Sequence, residues 1–243
     1  MKSTNLVSLL SIVFFSLHFG IAQNASVEPQ YFNWFDNEVQ RNNTSLFNGL
    51  EYIELYRTIN DKHKFYGTSD FQFGSLVYDG QFFDQVPLKY DLDADDLLLN
   101  VGYNYPYPIL ILIKSKVERF SLPGAEFIQV PENIEELKEH GFYQILLENS
   151  LVSLLKKNFK KRFKRIRGST LYYEFIQEGS FAIKYDGTYY EISNKQDVVR
   201  IWPDQRDYIN ENYNNSLKKA DEEIFWTNFF TKLSDEINSQ NRG

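Results

Sequence analysis

Residues 156–167 hold Lys156, Lys157, Lys160, Lys161, Arg162, Lys164, Arg165 and Arg167, eight cations in twelve positions. A run this dense is suited to binding anions. The sharpest form of that chemistry is contact with phosphorylated lipid headgroups, where each Lys or Arg near an anionic surface contributes ~1 kcal/mol. The plainer reading is a solvated basic loop or strand end, balanced by the chain's own acidic surface. The other 18 cations face 33 carboxylates, so the net charge of −7 becomes −15 outside the run. A chain so acidic overall does not suit a dedicated nucleic-acid binder, whose affinity comes from neutralising phosphates.

A second cluster carries the opposite sign. Asp91, Asp93 and Asp95, with Asp96 beside them, have the alternate-residue spacing of the first ligands of a calcium loop. Such a loop also needs Gly at its sixth position and Glu at its twelfth. Those places hold Asp96 and Gly102, which leaves an acidic hairpin turn as the competing reading. A third candidate is the loop Tyr103-Asn104-Tyr105-Pro106-Tyr107-Pro108. Its rings Tyr103, Tyr105 and Tyr107 sit on a proline-stiffened segment and could stack on a sugar or peptide; a plain strand-to-strand loop is the alternative.

Other chemistry finds little support. His63 and His140 are far apart, and no carboxylate spacing makes either a metal site. His140 suits a helix C-terminus, where a cation is favoured. There is no G-x-S-x-G elbow, P-loop or dinucleotide fingerprint. No catalytic residue, metal or cofactor is assigned. The absence of cysteine removes disulfides, thiol catalysis, thiolate metal sites and the acylation site of a bacterial lipoprotein.

The elements that must carry these residues are mostly strands. Twenty-one Phe, 17 Tyr and 3 Trp favour sheet, where ring faces pack on a pleated surface. From about Glu51 to Ile192, turn signals separate short apolar runs: 71–78, 82–90, 97–101, 109–113, 117–122, 125–130, 142–147, 151–155, 171–177, 181–185 and 188–192. Asp79-Gly80 and Asp186-Gly187 are type I′ hairpin signals, and Glu178-Gly179 reads as a further turn. Short turns imply antiparallel neighbours. Ile109–Ile113 lacks polar alternation and reads as a central strand covered on both faces, the expected seat of the core. Glu132–His140 reads as a short helix stopped by Gly141.

Helices follow Ile192. Ser193-x-x-Gln196 fits a capping box, Pro203 suits the first position of the next helix, and a last helix starts near Ser216. In it Leu217, Ala220, Ile224, Phe229 or Phe230, Leu233 and Ile237 share one face. Packing on the sheet is the simplest use of that stripe, and a partner-binding helix is the alternative. The expected fold is α+β and mainly β: an antiparallel β-meander, partly curled, with C-terminal helices packed on it.

The chain opens with Lys2, an apolar stretch over Leu6–Phe19, and Gly20 and Ala22 at the −3 and −1 positions of a small-x-small cleavage site. That stretch is short of the ~20 residues needed to span a bilayer. The expected organisation is therefore a signal peptide at 1–22 and an irregular Asn-rich lead-in at 23–50. The β-meander follows at 51–192, and helices of the same domain at 193–238.

Several local patterns resemble a family of uncharacterised secreted proteins from Bacteroidota. They are Leu46-Phe47-Asn48-Gly49-x-x-Tyr52, Gly74-Ser75-Leu76-Val77-Tyr78-Asp79-Gly80, Val86-Pro87-Leu88-Lys89-Tyr90-Asp91-Leu92, Gly141-Phe142-Tyr143 and Tyr189-Tyr190. The resemblance implies a β-rich fold and a diderm envelope address, in the periplasm or on the periplasmic face of the outer membrane. It carries no activity. Three functional readings stand open: a non-enzymatic envelope protein acting through protein partners or the membrane surface, a lipid- or glycan-binding module, and a hydrolase with an unrecognised carboxylate site.

Overall fold

Both Asp-Gly pairs make the turns their chemistry dictates. Asp79 and Gly80 have φ of 54° and 78°, and Asp186 and Gly187 have 47° and 76°. Two successive positive φ values define the type I′ turn whose twist matches the flanking strands. In the computed structural model, which describes residues 45–102 and 108–240, these turns belong to an 11-stranded antiparallel sheet. The strands are β1 (Leu50–Glu51), β2 (Gln72–Tyr78), β3 (Gln81–Asp91), β4 (Asp96–Asn100), β5 (Ile109–Ile111), β6 (Val117–Leu122), β7 (Ala125–Val130), β8 (Gly141–Glu148), β9 (Val152–Arg167), β10 (Thr170–Tyr185) and β11 (Thr188–Ile192). The fold is mainly β with C-terminal helices packed on the sheet, as the sequence implies.

The order is β1-β5-β4-β3-β2-β6-β7-β8-β9-β10-β11. Two meanders, β2 to β5 and β6 to β11, are thus joined where β6 pairs with β2. The join follows from a short β5. A 3-10 turn at Lys114–Lys116 carries the chain back past the first hairpin, and the Asp79 amide donates to the Lys116 carbonyl at 2.8 Å. Ile109–Ile113 is therefore not the central strand. It contributes three residues next to the sheet edge, and Ile113 is exposed.

One core lies instead where β2, β3, β4, β6, β7 and β8 curl around aromatic rings. Tyr90 makes edge contacts with Phe120, Phe127 and Phe142 at 5.4–5.7 Å, and Phe120 stacks on Phe127 at 4.6 Å. Edge-to-face and offset stacking are the arrangements the ring quadrupole favours. Leu76, Leu88, Leu97, Leu122 and Val117 fill the space around them.

The curl is not closed by strand pairing. Residues 52–66 cross its open side as an extended strap. At one end the Tyr52 amide donates to the Ile109 carbonyl on β5, at 2.8 Å. Further on, the amides of Tyr173 and Phe175 on β10 donate to the carbonyls of Arg57 and Lys62, at 2.9 and 3.0 Å. Phe65 then bridges Asp91 at the end of β3.

The two 16-residue strands β9 and β10 were not foreseen. The expected turn at Glu178-Gly179 is continuous strand, with Gly179 opposite Asn158. A methyl group on Gly179 would lie 2.9 Å from the Lys157 carbonyl oxygen. Glycine here admits a close backbone neighbour rather than a turn. The expected helix over Glu132–His140 is absent too. Only isolated 3.4 Å turn hydrogen bonds form there, at Ile134 and Leu137, and Gly141 at φ 90° opens β8.

The helices are α1 (Lys195–Ile201), α2 (Arg206–Asn212), α3 (Asn215–Ala220) and α4 (Glu222–Gln240). The capping box sits one residue later than expected. Asn194 accepts from the amides of Gln196 and Asp197, and Asp197 accepts from the Asn194 amide. Pro203 opens a 3-10 turn leading into α2. The last helix is interrupted at Asp221, whose carboxylate accepts the Ile224 amide and restarts it. The restart rotates the stripe: Phe225, Trp226, Phe229, Phe230 and Leu233 are buried, while Leu217 and Ile224 are exposed. This face packs on Val152, Leu154, Phe181 and Ile183 of β9 and β10. Among the described residues no helix is long and apolar enough to cross a membrane.

Candidate functional site

All eight cations of the basic run lie on β9, and they divide into two groups. Those from Lys156 to Arg162 are held by partners within the molecule, Lys157 in the interior and Lys161 at the surface. Lys156 pairs with Glu223 of α4 at 2.7 Å. Lys157, 4% exposed, is 2.7 Å from Asp95 Oδ1 and donates to the Phe142 carbonyl at 3.2 Å. The Lys160 ammonium donates to the carbonyls of His63 and Phe65, both at 2.8 Å, and so pins the strap. Burial holds both ammonium groups, of Lys157 and of Lys160, below the ordinary lysine value. Lys161 pairs with Glu178 at 2.6 Å. Arg162 lies 3.8 Å from the Tyr56 ring centroid and 3.6 Å from Asp93.

The aspartate cluster is the other side of this seam. Asp95 accepts the Tyr90 hydroxyl at 2.6 Å and faces Lys114 at 3.1 Å as well as Lys157. Asp91 is buried, accepts the amides of Asp93 and Ala94, and pairs with the buried Lys64 at 2.9 Å. Lys64 also faces Glu54 at 3.3 Å and lies 5.0 Å from the Tyr52 ring. Burial alone would lower the Lys64 ammonium, but the Tyr52 hydroxyl and the Asp91 carboxylate outweigh it and raise it. Burial and the neighbouring Asp95 push the Tyr90 phenol well above its ordinary value. Burial also raises the carboxyls of Asp93 and Asp96. The carboxylates once spaced like calcium ligands thus meet ammonium and guanidinium groups. Among the described residues, no group of three or more His, Asp or Glu is arranged to hold a metal ion.

Beyond Arg162, β9 projects with β10 as a hairpin. Arg165 pairs with Glu174 at 3.2 Å. The side chains of Lys164 and Arg167 are exposed and have no ion-pair or hydrogen-bond partner among the described residues. Next to them Ile166 is 72% exposed and its cross-strand partner Leu171 43%. Phe163 is exposed as well. Tyr103, Tyr105 and Tyr107 lie outside the described residues.

Sequence reasoning found the cations but not the side chains that divide them. Lys64, Lys114, Glu54 and Tyr90 come from distant segments, and no spacing links them to β9; Glu174 lies on β10, opposite Phe163. The distal apolar residues were within reach: Phe163–Tyr173 contains Lys164, Arg165 and Arg167, five apolar or aromatic residues, and no carboxylate. The fold and seam define a mainly β protein with a charged internal seam and one projecting basic hairpin. Comparison with protein-family models, curated proteins and solved structures found no match.

Proposed function

We propose that this is an exported, non-enzymatic envelope protein that works by contact, and that the distal β9–β10 hairpin is its contact element for an anionic partner surface. One observation carries the reading: Lys164 and Arg167 project from an acid-free stretch with no partner among the described residues, while the other cations of the same run have partners within the molecule. Unpaired cations can exchange their counterions for a partner's phosphates or carboxylates without breaking an existing pair. The acidic remainder of the molecule repels an anionic surface, which orients the approach hairpin-first. The aromatic packing inside the curl supports a scaffold role for the rest of the chain. The N-terminal pattern supports export, with the mature chain beginning at Gln23.

Sedimentation with phosphatidylglycerol vesicles and retention on immobilised dextran sulfate, each at low and at high salt, test the contact. Binding to at least one probe that weakens with salt, and weakens again in the Lys164→Gln/Arg167→Gln variant, is the expected outcome. A variant that binds both probes as well as the parent chain refutes it. N-terminal sequencing of the protein from isolated envelopes tests the address.

A further inference from the structure

The chemistry of the hairpin goes beyond charge. Along one side of the ribbon the pair Lys164–Tyr173 is followed by the pair Ile166–Leu171, two residues nearer the tip. Directly paired residues and residues two apart share a face. Arg165–Tyr172 and Arg167–Thr170 lie on the opposite side. An aliphatic cross-strand pair therefore shares its face with Lys164 and Tyr173, and Arg165, Arg167 and Tyr172 occupy the other face of a segment with no carboxylate from Phe163 to Tyr173. The last strap contact toward the tip is the Tyr173 amide to the Arg57 carbonyl. Beyond it the ribbon extends three residues to Thr170, about 10 Å at strand rise. Apolar faces at a membrane interface reach roughly 5–10 Å into the headgroup–acyl boundary, and Tyr favours headgroup level.

We propose that the hairpin seats in the interface of an anionic phospholipid bilayer, with Ile166 and Leu171 below the headgroups, Lys164 at the phosphates, Arg167 reaching back to them from the opposite face on its long side chain, and Tyr172 and Tyr173 at headgroup depth. This rests on the anionic-contact reading above and names its partner. A soluble polyanion uses the cations but leaves Ile166 and Leu171 in water, and the ~10 Å reach has no role there. An acidic protein surface is the competing occupant that the test separates.

The chain has no cysteine, so Ile166→Cys creates a unique labelling site. An environment-sensitive fluorophore there, and on Leu217→Cys as an exposed control on α3, reports depth in phosphatidylglycerol–phosphatidylcholine vesicles. The expected result is a blue shift at position 166, quenched by brominated acyl chains, and no change at position 217. Alongside it, Ile166→Ser/Leu171→Ser loses vesicle affinity at least fivefold and keeps dextran sulfate binding, with an unchanged circular dichroism spectrum and melting midpoint. If vesicles bind while the probe stays in water, or the serine variant binds vesicles normally, the bilayer proposal falls and the anionic reading survives. Binding of dextran sulfate but not vesicles has the same meaning, and points to a soluble or protein polyanion. Binding of neither probe overturns both.

Discussion

Lys157 and Lys164 belong to one strand and one run of charge, yet their surroundings oppose each other. Around Lys157 the sheet curls back, so that Asp95 and the Phe142 carbonyl replace water. Around Lys164 the strand has run past its pairing with β8, and its exposed side chain has no ion-pair or hydrogen-bond partner among the described residues. A buried ammonium must keep its counter-charge, because desolvation is repaid only by a close pair. An exposed one has little bearing on folding and can serve a partner. The lesson is that a basic run is not one feature. Its cations are assigned by what the fold brings opposite each residue, and here the division falls near Arg162.

Substitutions can widen or collapse this contrast. The largest effect is expected from Asp95→Asn, which keeps the shape of a residue at φ 59° but removes the charge facing Lys157. It should cost about 3 kcal/mol in urea unfolding, as one-sided removal of a buried pair does. Adding Lys157→Met should recover much of the loss. Next is Gly179→Val, which drives a side chain against the Lys157 backbone and should cost about 2 kcal/mol through overpacking. A neutral result there would mean that β9 and β10 do not run continuously past this point.

Away from the strand, Asp197→Asn should cost about 1 kcal/mol, the usual size of a capping loss. The cost should depend on pH. Burial alone would raise the Asp197 carboxyl, but the amides of Ser193 and Asn194 and the Ser193 hydroxyl outweigh it and hold it below its ordinary 3.8. The folded chain therefore takes up this proton less readily than the unfolded one. The stabilisation is complete above the unfolded value and is lost as pH falls through the folded value. Parent and variant melting curves should converge below that range. Smallest of all, Lys164→Gln/Arg167→Gln should change stability by no more than about 0.5 kcal/mol, as surface substitutions do. A larger loss would place the distal cations in the same structural class as Lys157.

Local chemistry was legible in the sequence, and long-range pairing was not. The Asp-Gly turns and the strands at 117–122, 125–130 and 188–192 followed from turn residues and alternation alone. Apart from the Glu132–His140 helix and the one-residue shift of the capping box, what failed depended on partners. Ile109–Ile113 looked central because it is apolar, but the turn at Lys114–Lys116 leaves it beside the edge. Gly179 looked like a turn because nothing in its neighbourhood reveals the backbone facing it. The acidic spacing at Asp91, Asp93 and Asp95 was visible, whereas Lys64, Lys114 and Lys157 reach it only through the curl.

The division of the run can be read in one measurement: the rate at which each lysine of the native protein reacts with an amine-acetylating reagent, resolved by mass spectrometry, with and without phosphatidylglycerol vesicles. Lys64, Lys157 and Lys160 should react slowly in both conditions. Lys164 should react fast in buffer and become protected by the vesicles. If Lys157 reacts as fast as Lys164, the charged seam does not exist in solution; if vesicles leave Lys164 unprotected, the hairpin is not the contact.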